Sequence, residues 1–192
     1  GFFQSSPIRV YQEWAAYLIL RGDNADVKNA FLCTIGHELT HQEGKDISPF
    51  RHFLNIRFIA WVNEIHADFG AEDKMLEQSR SRLITAMQFK RSQKKKDRDS
   101  CTHPSWKRRI HYAESFEIFD EKLIRQIAKD TRCKDKKIIQ KVVNYYKSNI
   151  YLVHHGRGIF ESEINFVNYS ATSYRASETF TDPKARSEIF GY

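Results

Sequence analysis

The 192-residue sequence predicts a mainly α-helical protein with a small β element near its C-terminus, an α+β class in which helices dominate. Apolar residues recur at helical spacing along several stretches of the first 150 residues. The chain has only 4 Pro and 8 Gly, the residues that most often interrupt helices, so long helices are possible. Two β-prone runs, in contrast, flank the tripeptide Gly156-Arg157-Gly158, a pattern typical of a hairpin.

The first clear helix is predicted from about 25 to 43. The segment "GDNAD" before it offers capping residues, and Gly44 is expected to end it. Its apolar residues at helical spacing are Val27, Ala30, Phe31, Ile35 and Leu39. A second helix, rich in Phe, Ile, Trp and Ala, is predicted from about 49 to 71, and its pattern allows a continuation through "EDKMLEQSRSRLITAMQF".

Further helices are predicted beyond a basic segment. One opens near Pro104, where a missing N–H costs nothing, and is expected to run to about Asp120. The segments "DEKLIRQIAKD" and "DKKIIQKVVNYYKSN" predict two more. We therefore expect a helical domain over residues 1–155, followed by a hairpin and polar tail over residues 156–192.

The net charge of +7 and the pI near 9.3 raise the question of nucleic-acid binding. Much of the excess charge lies in "FKRSQKKKDRDS", a run with few interleaved aromatic residues. Such a run is typical of a solvated loop or helix end. Nucleic acid is therefore an alternative partner that the sequence does not favour.

The cysteines and the apolar runs indicate the cellular setting in which we expect the chain to work. Cys33, Cys101 and Cys133 are odd in number and lack CxxC spacing, which disfavours a disulfide scaffold and favours a reducing, cytoplasmic setting. No apolar run approaches the roughly 20 residues that span a bilayer, so we expect no membrane span in this chain. Because the chain begins with Gly, we interpret it as a processed piece, and an upstream membrane segment is left open.

The segment "IGHELTHQEGKD" places His37, Glu38 and His41 within five residues at the end of the first helix. On a helix, His37 and His41 project from one face, so their imidazoles can bind one zinc ion. Glu38 lies beside them, where its carboxylate can take a proton from a metal-activated water that attacks a peptide carbonyl. The alternative is a helix face with two solvated histidines and a glutamate.

A second polar pair follows in "NEIHADFGA", where Glu64 and Asp68 lie four residues apart on the second helix. Glu64 can complete a three-ligand catalytic zinc site whose fourth position is open to water. Asp68, one turn later, can accept the free ring N–H of a zinc-bound histidine, with His37 the expected partner. The alternative is an ordinary solvent-facing acid pair.

These motifs resemble those of the gluzincin zinc peptidases, and within them the HtpX and type I CaaX prenyl protease group. HExxH is followed by Glu-x-x-Ala-Asp on a second helix, as in that group. The group's third element is a His-Pro with an Arg six residues after the His. The segment "HPSWKRRI" matches it with His103, Pro104, Arg109 and Ile110, so the resemblance covers residues from about 37 to 110.

The resemblance implies a minimal zincin-like helical core, in which an HExxH helix packs against the Glu-bearing second helix. It implies one Zn²⁺ per chain, held by His37, His41 and Glu64, with Glu38 as general base and later acid. Asp68 would support a zinc-bound histidine.

The resemblance also implies catalytic roles for His103 and Arg109. His103 would donate to the oxyanion of the tetrahedral intermediate, and Arg109 would orient the surrounding carboxylates or help to stabilise the same charge. The alternative for these two residues is a helix start and a surface cation.

The resulting hypothesis is a zinc-dependent endopeptidase that acts on a peptide or protein substrate. One alternative is a DNA-associated or regulatory protein on a gluzincin scaffold, of the kind that cleaves transcriptional repressors. Another is a non-catalytic zinc-binding interaction module. The presence of Glu38 argues against this last alternative, because a purely structural site has no use for a base beside its ligands.

Overall fold

A computed structural model describes residues 16, 19–21, 23–44, 46–47, 54–75 and 80–153. The helices are α1 (Ala25–Gly44), α2 (Ile56–Lys74), α3 (Arg80–Ser92), α4 (Trp106–Ser115), α5 (Glu121–Asp130) and α6 (Lys136–Val153). These ranges contain no strand, which confirms the mainly α class. No helix among them has the length and apolar character needed to cross a membrane. The first β-prone run of the predicted hairpin begins inside α6, because residues 150–153 are helical, and for those residues the prediction is wrong. The rest of the hairpin and the tail over residues 156–192 lie outside the described residues.

The start of α1 lies at the capping segment that the sequence indicated. The side-chain oxygen of Asn24 accepts the backbone N–H of Asp26 at 2.9 Å and that of Val27 at 3.4 Å. These bonds supply partners that first-turn amides lack within the helix. Asp26 also places a negative charge where the helix dipole favours it. The observed bounds confirm the helix predicted from about 25 to 43.

α2 is the central helix, and most of its residues are buried. Its apolar side chains pack with those of α5 and α6 in one core, which includes Trp61, Leu123 and Tyr146. A second core lies among α1, α3 and α4 and includes Cys33 and Leu83. A helix that is covered almost all round can hold polar side chains rigidly where it meets a neighbour. In this protein that neighbour is α1.

The crossing of α1 and α2 depends on two glycines. A Cβ added to Gly70 would lie 2.3 Å from Thr40 Cγ2, and one added to Gly36 would lie 3.1 Å from the Ala71 Cα. The Thr40 hydroxyl donates to the Gly36 carbonyl at 2.8 Å, which holds its side chain against the crossing point. Glycine at these positions lets the two backbones approach closely. The polar faces of the two helices are thereby brought into contact.

The second predicted helix begins later in the structure than expected, and the continuation that its pattern allowed is not formed. α2 begins at Ile56, later than expected, and the chain does not continue from it as one helix. Met75 has extended backbone angles (φ −78°, ψ 146°), and α3 begins at Arg80. Met75 is buried and packs in the same core cluster as Leu83. α2 therefore ends at a residue whose apolar side chain is buried, and α3 packs against α1.

α4 ends at Ser115, earlier than the end predicted near Asp120. Phe116 has extended backbone angles (φ −132°, ψ 130°), and its carbonyl accepts a hydrogen bond from the Arg80 guanidinium. Asp120 instead caps α5, where its side chain accepts the Leu123 N–H at 3.0 Å. Arg80, which is distant in sequence, thus donates to a backbone carbonyl that would have accepted an intrahelical hydrogen bond in a longer helix.

The basic segment after α3 is folded against the start of α4. Arg91 Nε lies 3.2 Å from Asp97 Oδ2, and the Asp97 carboxylate also accepts the backbone N–H of Trp106 at 2.7 Å and that of Lys107 at 2.9 Å. These bonds complete the amino end of α4. The remaining basic residues between 94 and 98 are exposed, as predicted for a solvated segment.

Candidate metal centre

His37 and His41 lie one turn apart on the side of α1 that meets α2. Their Nε2 atoms are 3.0 Å apart, and their ring centres are 4.6 Å apart with an interplanar angle of 86°. His37 is buried and His41 is half-buried. The four-residue spacing therefore places both rings at one point, as helix geometry predicts.

The Glu64 carboxylate comes from α2 and faces both imidazoles. Its Oε2 lies 3.5 Å from His37 Nε2, and its Oε1 lies 3.7 Å from His41 Nε2. One ligand atom from each of the three residues lies within 4.8 Å of the other two. Two imidazole nitrogens and one carboxylate oxygen are a donor set typical of catalytic zinc sites.

An aspartate holds the second nitrogen of each imidazole. His37 Nδ1 lies 3.0 Å from Asp68 Oδ1, and His41 Nδ1 lies 2.5 Å from Asp46 Oδ2. An ionised carboxylate only accepts hydrogen bonds, so each Nδ1 carries the proton, and each Nε2 of a neutral ring presents a lone pair. With both rings in this form, two imidazole lone pairs and a carboxylate converge, an arrangement that a bound cation would stabilise. The residues therefore fit a Zn²⁺ ion.

The acids of the cluster are tuned to remain ionised. Burial disfavours the charged form of Glu64, but His37 and Arg109 hold the pKa of its carboxyl below the ordinary value. Burial acts against the charge on Asp68 as well, but Arg109 and His37 lower the pKa of that carboxyl far below its usual range. Both groups are therefore carboxylates at neutral pH, the form that binds a metal or orients an imidazole.

Arg109 lies at the base of the cleft and is only 6% exposed, so it is no surface cation. Its Nε donates to Asp68 Oδ2 at 2.7 Å, its Nη2 donates to Asp68 Oδ1, and its Nη1 lies 3.6 Å from Glu64 Oε2. The Trp106 ring covers the guanidinium, with its centre 4.0 Å from Cζ. Arg109 thus links two acids of the cluster through a bidentate pair, and we interpret it as a positioning residue.

A cleft of about 450 Å³ opens onto the cluster, and Glu38 and His103 border it. Glu38 is exposed on α1, directly after His37. The His103 side chain is 62% exposed, and its Nε2 lies 3.4 Å from Glu64 Oε1. Its Nδ1 lies 2.8 Å from the Thr102 hydroxyl, which leaves Nε2 directed to the cleft. A carboxylate and an imidazole therefore border the same cleft as the candidate ligands.

Sequence reasoning missed three residues of this site. Asp46 follows the end of α1, and although burial lowers the pKa of His41, the Asp46 carboxylate outweighs burial and raises it. Trp106 lies three residues before Arg109 on α4, a spacing that places their side chains together, so a signal was present. Lys90 was assigned to the solvated basic segment, and this is wrong, because its side chain lines the cleft.

All residues that the sequence proposed for the site lie together in the structure. They are His37, Glu38, His41, Glu64, Asp68, His103 and Arg109. Their arrangement has the donor set, the supporting acids and the open side that metal-assisted hydrolysis requires. Comparison with protein-family models, with curated proteins and with solved structures finds no match to this chain.

Proposed function

We propose that this chain is a zinc-dependent endopeptidase of the gluzincin type that the sequence resembles, and that it hydrolyses peptide bonds in a protein substrate. One observation carries the proposal. His37, His41 and Glu64 converge beside an open cleft, and the wall of that cleft also carries the Glu38 carboxylate. The candidate metal ligands and the proposed base thus border one cleft that a substrate could enter.

The two histidine Nε2 atoms and a Glu64 oxygen would hold the ion. Zinc held there supplies Lewis acidity to water and to a substrate carbonyl. Asp68 and Asp46 keep the imidazoles in the tautomer that ligates, a support whose loss typically costs about 10–100-fold in metal affinity.

Glu38 is the general base of the proposed reaction. Its carboxylate is exposed to the cleft, and among the described residues no hydrogen bond or ion pair engages it. It is therefore available to remove a proton from the attacking water and to deliver that proton to the leaving amine. A positioned acid–base group of this kind contributes about 10²–10⁴-fold to a rate.

His103 is the proposed donor to the carbonyl oxygen that gains negative charge during attack. Its exposed imidazole lies on the rim of the cleft, against Glu64. Donors directed at a developing oxyanion act only in the transition state, so they raise turnover more than substrate affinity. Arg109 is buried and bonded to Asp68, so it acts through the carboxylates it holds.

The proposal is tested by measuring cleavage of fluorescently labelled casein by the zinc-loaded chain. The wild type is compared with Glu38→Gln, which keeps shape and removes the base. Glu114→Gln is the matched control, because Glu114 is exposed on α4 and does not line the cleft. We expect wild type and control to cleave equally, and Glu38→Gln to lose at least about 100-fold while zinc content is unchanged.

Two outcomes argue against the proposal. If Glu38→Gln cleaved as fast as wild type, the base would lie elsewhere and the assignment would be wrong. If the zinc-loaded wild type cleaved no protein or peptide, a non-catalytic zinc-binding module would be the better description. A salt-sensitive shift of duplex DNA by the intact chain would favour the DNA-associated alternative.

A further inference from the structure

Lys90 brings a positive charge into the cleft that the proposed hydrolysis does not use. It lies in the last turn of α3, and its side chain lines the same cleft as His37, Glu38 and Glu64. The side chain is half-buried, although lysine is usually exposed. A charged group in such a position is an element of substrate recognition unless the protein itself neutralises it.

The Trp106 ring fixes the position of Lys90. The ammonium Nζ lies 4.8 Å from the ring centre, and the Arg109 Cζ lies 4.0 Å from the centre of the same ring. The Arg109 Nη1 in turn lies 3.6 Å from Glu64 Oε2. The same ring thus contacts both cations. Because the Lys90 side chain lines the cleft that also holds the candidate ligands, its ammonium lies in the space where a substrate would bind.

The two cations differ in how their charge is balanced. The Arg109 guanidinium is paired with the Asp68 carboxylate and lies near Glu64. For Lys90, no carboxylate of the described residues lies within 4.0 Å of the ammonium, which instead lies over the Trp106 ring. A ring face attracts a cation but accepts none of its three N–H donors as a carboxylate would.

The Lys90 ammonium is partly removed from water and has no ion-pair partner among the described residues, so its charge is poorly stabilised. Removal from water lowers the pKa of the Lys90 ammonium, because the surroundings solvate the charge less well than water does. A negative group that entered the cleft would restore that solvation and pair with the ammonium. The Asp68 and Glu38 carboxylates act on this charge through space and oppose the effect of burial, but neither forms an ion pair with the ammonium.

We infer that Lys90 selects substrates that carry a carboxylate close to the scissile bond. This rests on the proposed peptidase function and names its substrate class. The carboxylate has two sources, an acidic side chain within the peptide or the free carboxyl group at its C-terminus. Both offer the same charge and the same acceptor oxygens to an ammonium group.

The test measures binding separately from cleavage. Pools of short, labelled peptides carry either Glu or Gln at one central position and either a free or an amidated C-terminus, with the other positions randomised. Their affinities for the zinc-loaded Glu38→Gln protein, which holds peptide without cutting it, are measured by fluorescence anisotropy. The same pools are then given to the enzyme with Glu38 intact, and kcat and KM are measured separately.

Three substitutions at Lys90 and one control are compared. Lys90→Met removes the charge and keeps much of the length, Lys90→Gln is a second neutral variant should the first fold poorly, and Lys90→Arg restores the charge. Lys95→Met is the control, because Lys95 is an exposed lysine that does not line the cleft.

We expect the protein with Lys90 to bind one carboxylate-bearing pool about 10-fold more tightly than its neutral counterpart. A difference between the Glu and Gln pools would identify a side-chain carboxylate as the recognised group. A difference between the free and amidated pools would identify the C-terminal carboxylate. This difference in affinity should vanish in Lys90→Met and Lys90→Gln and persist in Lys90→Arg and Lys95→Met. In the cleavage assay it should change KM and leave kcat unchanged. Equal affinity for all pools, or an unchanged preference without Lys90, would overturn the inference.

Failure of the proposed function has a different signature. If the wild type cleaves no peptide while the charge preference in binding depends on Lys90, recognition stands and hydrolysis is wrong. If Lys90→Met lowers kcat equally on every peptide without affecting binding, Lys90 acts on the reacting carbonyl and the recognition role is wrong.

Discussion

One carboxylate joins three helices at the centre of this protein. Asp68 Oδ1 on α2 lies 3.0 Å from His37 Nδ1 on α1, and Asp68 Oδ2 accepts Arg109 Nε of α4 at 2.7 Å. All three side chains are buried. The same acid therefore orients a candidate metal ligand and neutralises a buried cation, so the candidate site and the fold share an interaction.

Asp68→Asn should damage stability and metal binding together. The change removes the bidentate partner of the buried Arg109 guanidinium and leaves it only the Glu64 carboxylate at 3.6 Å, and breaking a buried ion pair typically costs about 3–5 kcal/mol. It also weakens the acceptor that holds His37, and we expect zinc affinity to fall about 10–100-fold. Urea unfolding and chelator competition measure the two effects. For zinc affinity the control is Asp99→Asn, which breaks an ion pair with Arg108 outside the site and should leave that affinity unchanged. Wild-type zinc affinity in Asp68→Asn would contradict this account of His37.

Gly70→Ala should destabilise the crossing of α1 and α2. The new methyl group would overlap the Thr40 side chain, and the resulting strain of about 1–3 kcal/mol exceeds the roughly 1 kcal/mol that alanine gains in a helix. Thr40→Ala removes the two closest atoms, Cγ2 at 2.3 Å and Oγ1 at 2.4 Å, and leaves the Cβ at 2.9 Å, so Gly70→Ala should cost less in that background. A double-mutant cycle from urea unfolding gives the coupling. Equal costs in both backgrounds would show that the close approach is not the cause.

His103→Ala should separate metal binding from turnover. Because its imidazole lies on the rim of the cleft, we expect zinc content to be unchanged and kcat to fall about 100-fold, as for loss of an oxyanion donor. Metal analysis and peptide cleavage measure both quantities. His111→Ala is the matched control, since His111 is exposed on α4. Loss of zinc in His103→Ala would instead make His103 a ligand.

Asp99 should contribute a pH-dependent part of the stability. Burial raises the pKa of its carboxyl, but hydrogen bonds from Arg108 and Ser105 outweigh this and lower it. A folded pKa below the unfolded value near 3.9 means that the contribution is complete above that value and is lost as pH falls through the folded pKa. Asp99→Asn should therefore be less stable at neutral pH, and the difference from wild type should shrink below about pH 4.

This prediction is checked by urea unfolding of the zinc-free protein from neutral pH to about pH 3. Removal of zinc keeps the release of metal at low pH out of the comparison, and the titration of the ligand residues is common to both proteins. A difference between wild type and Asp99→Asn that stayed constant over this range would mean that the ion pair with Arg108 does not account for the effect of the substitution.

Local spacing made much of the site predictable from sequence. His37 and His41 share a face because four residues make about one helical turn, and the same spacing relates Glu64 to Asp68. α1 was also predictable, because Asn24 and the apolar residues after it form a start signal and a period. These features depend on neighbours within a few residues.

Features set by distant contacts were not predictable. Asp46 lies against His41 because of the path the chain takes after α1, and no helical period determines that path. α4 ends early because Arg80 bonds to the carbonyl of Phe116, far away in sequence. Lys90 resembles its basic neighbours in sequence and differs from them only because Trp106 lies opposite it in the folded chain.

The zinc content of the purified chain tests the central claim most directly. The wild type is prepared in zinc-containing buffer, dialysed to remove loose metal and analysed by mass spectrometry for metal per chain, beside Glu64→Ala and the surface control Glu114→Ala. The account predicts one zinc ion per chain in wild type and control, and strong loss of zinc in Glu64→Ala. Wild type without bound zinc, or full zinc content in Glu64→Ala, would contradict it.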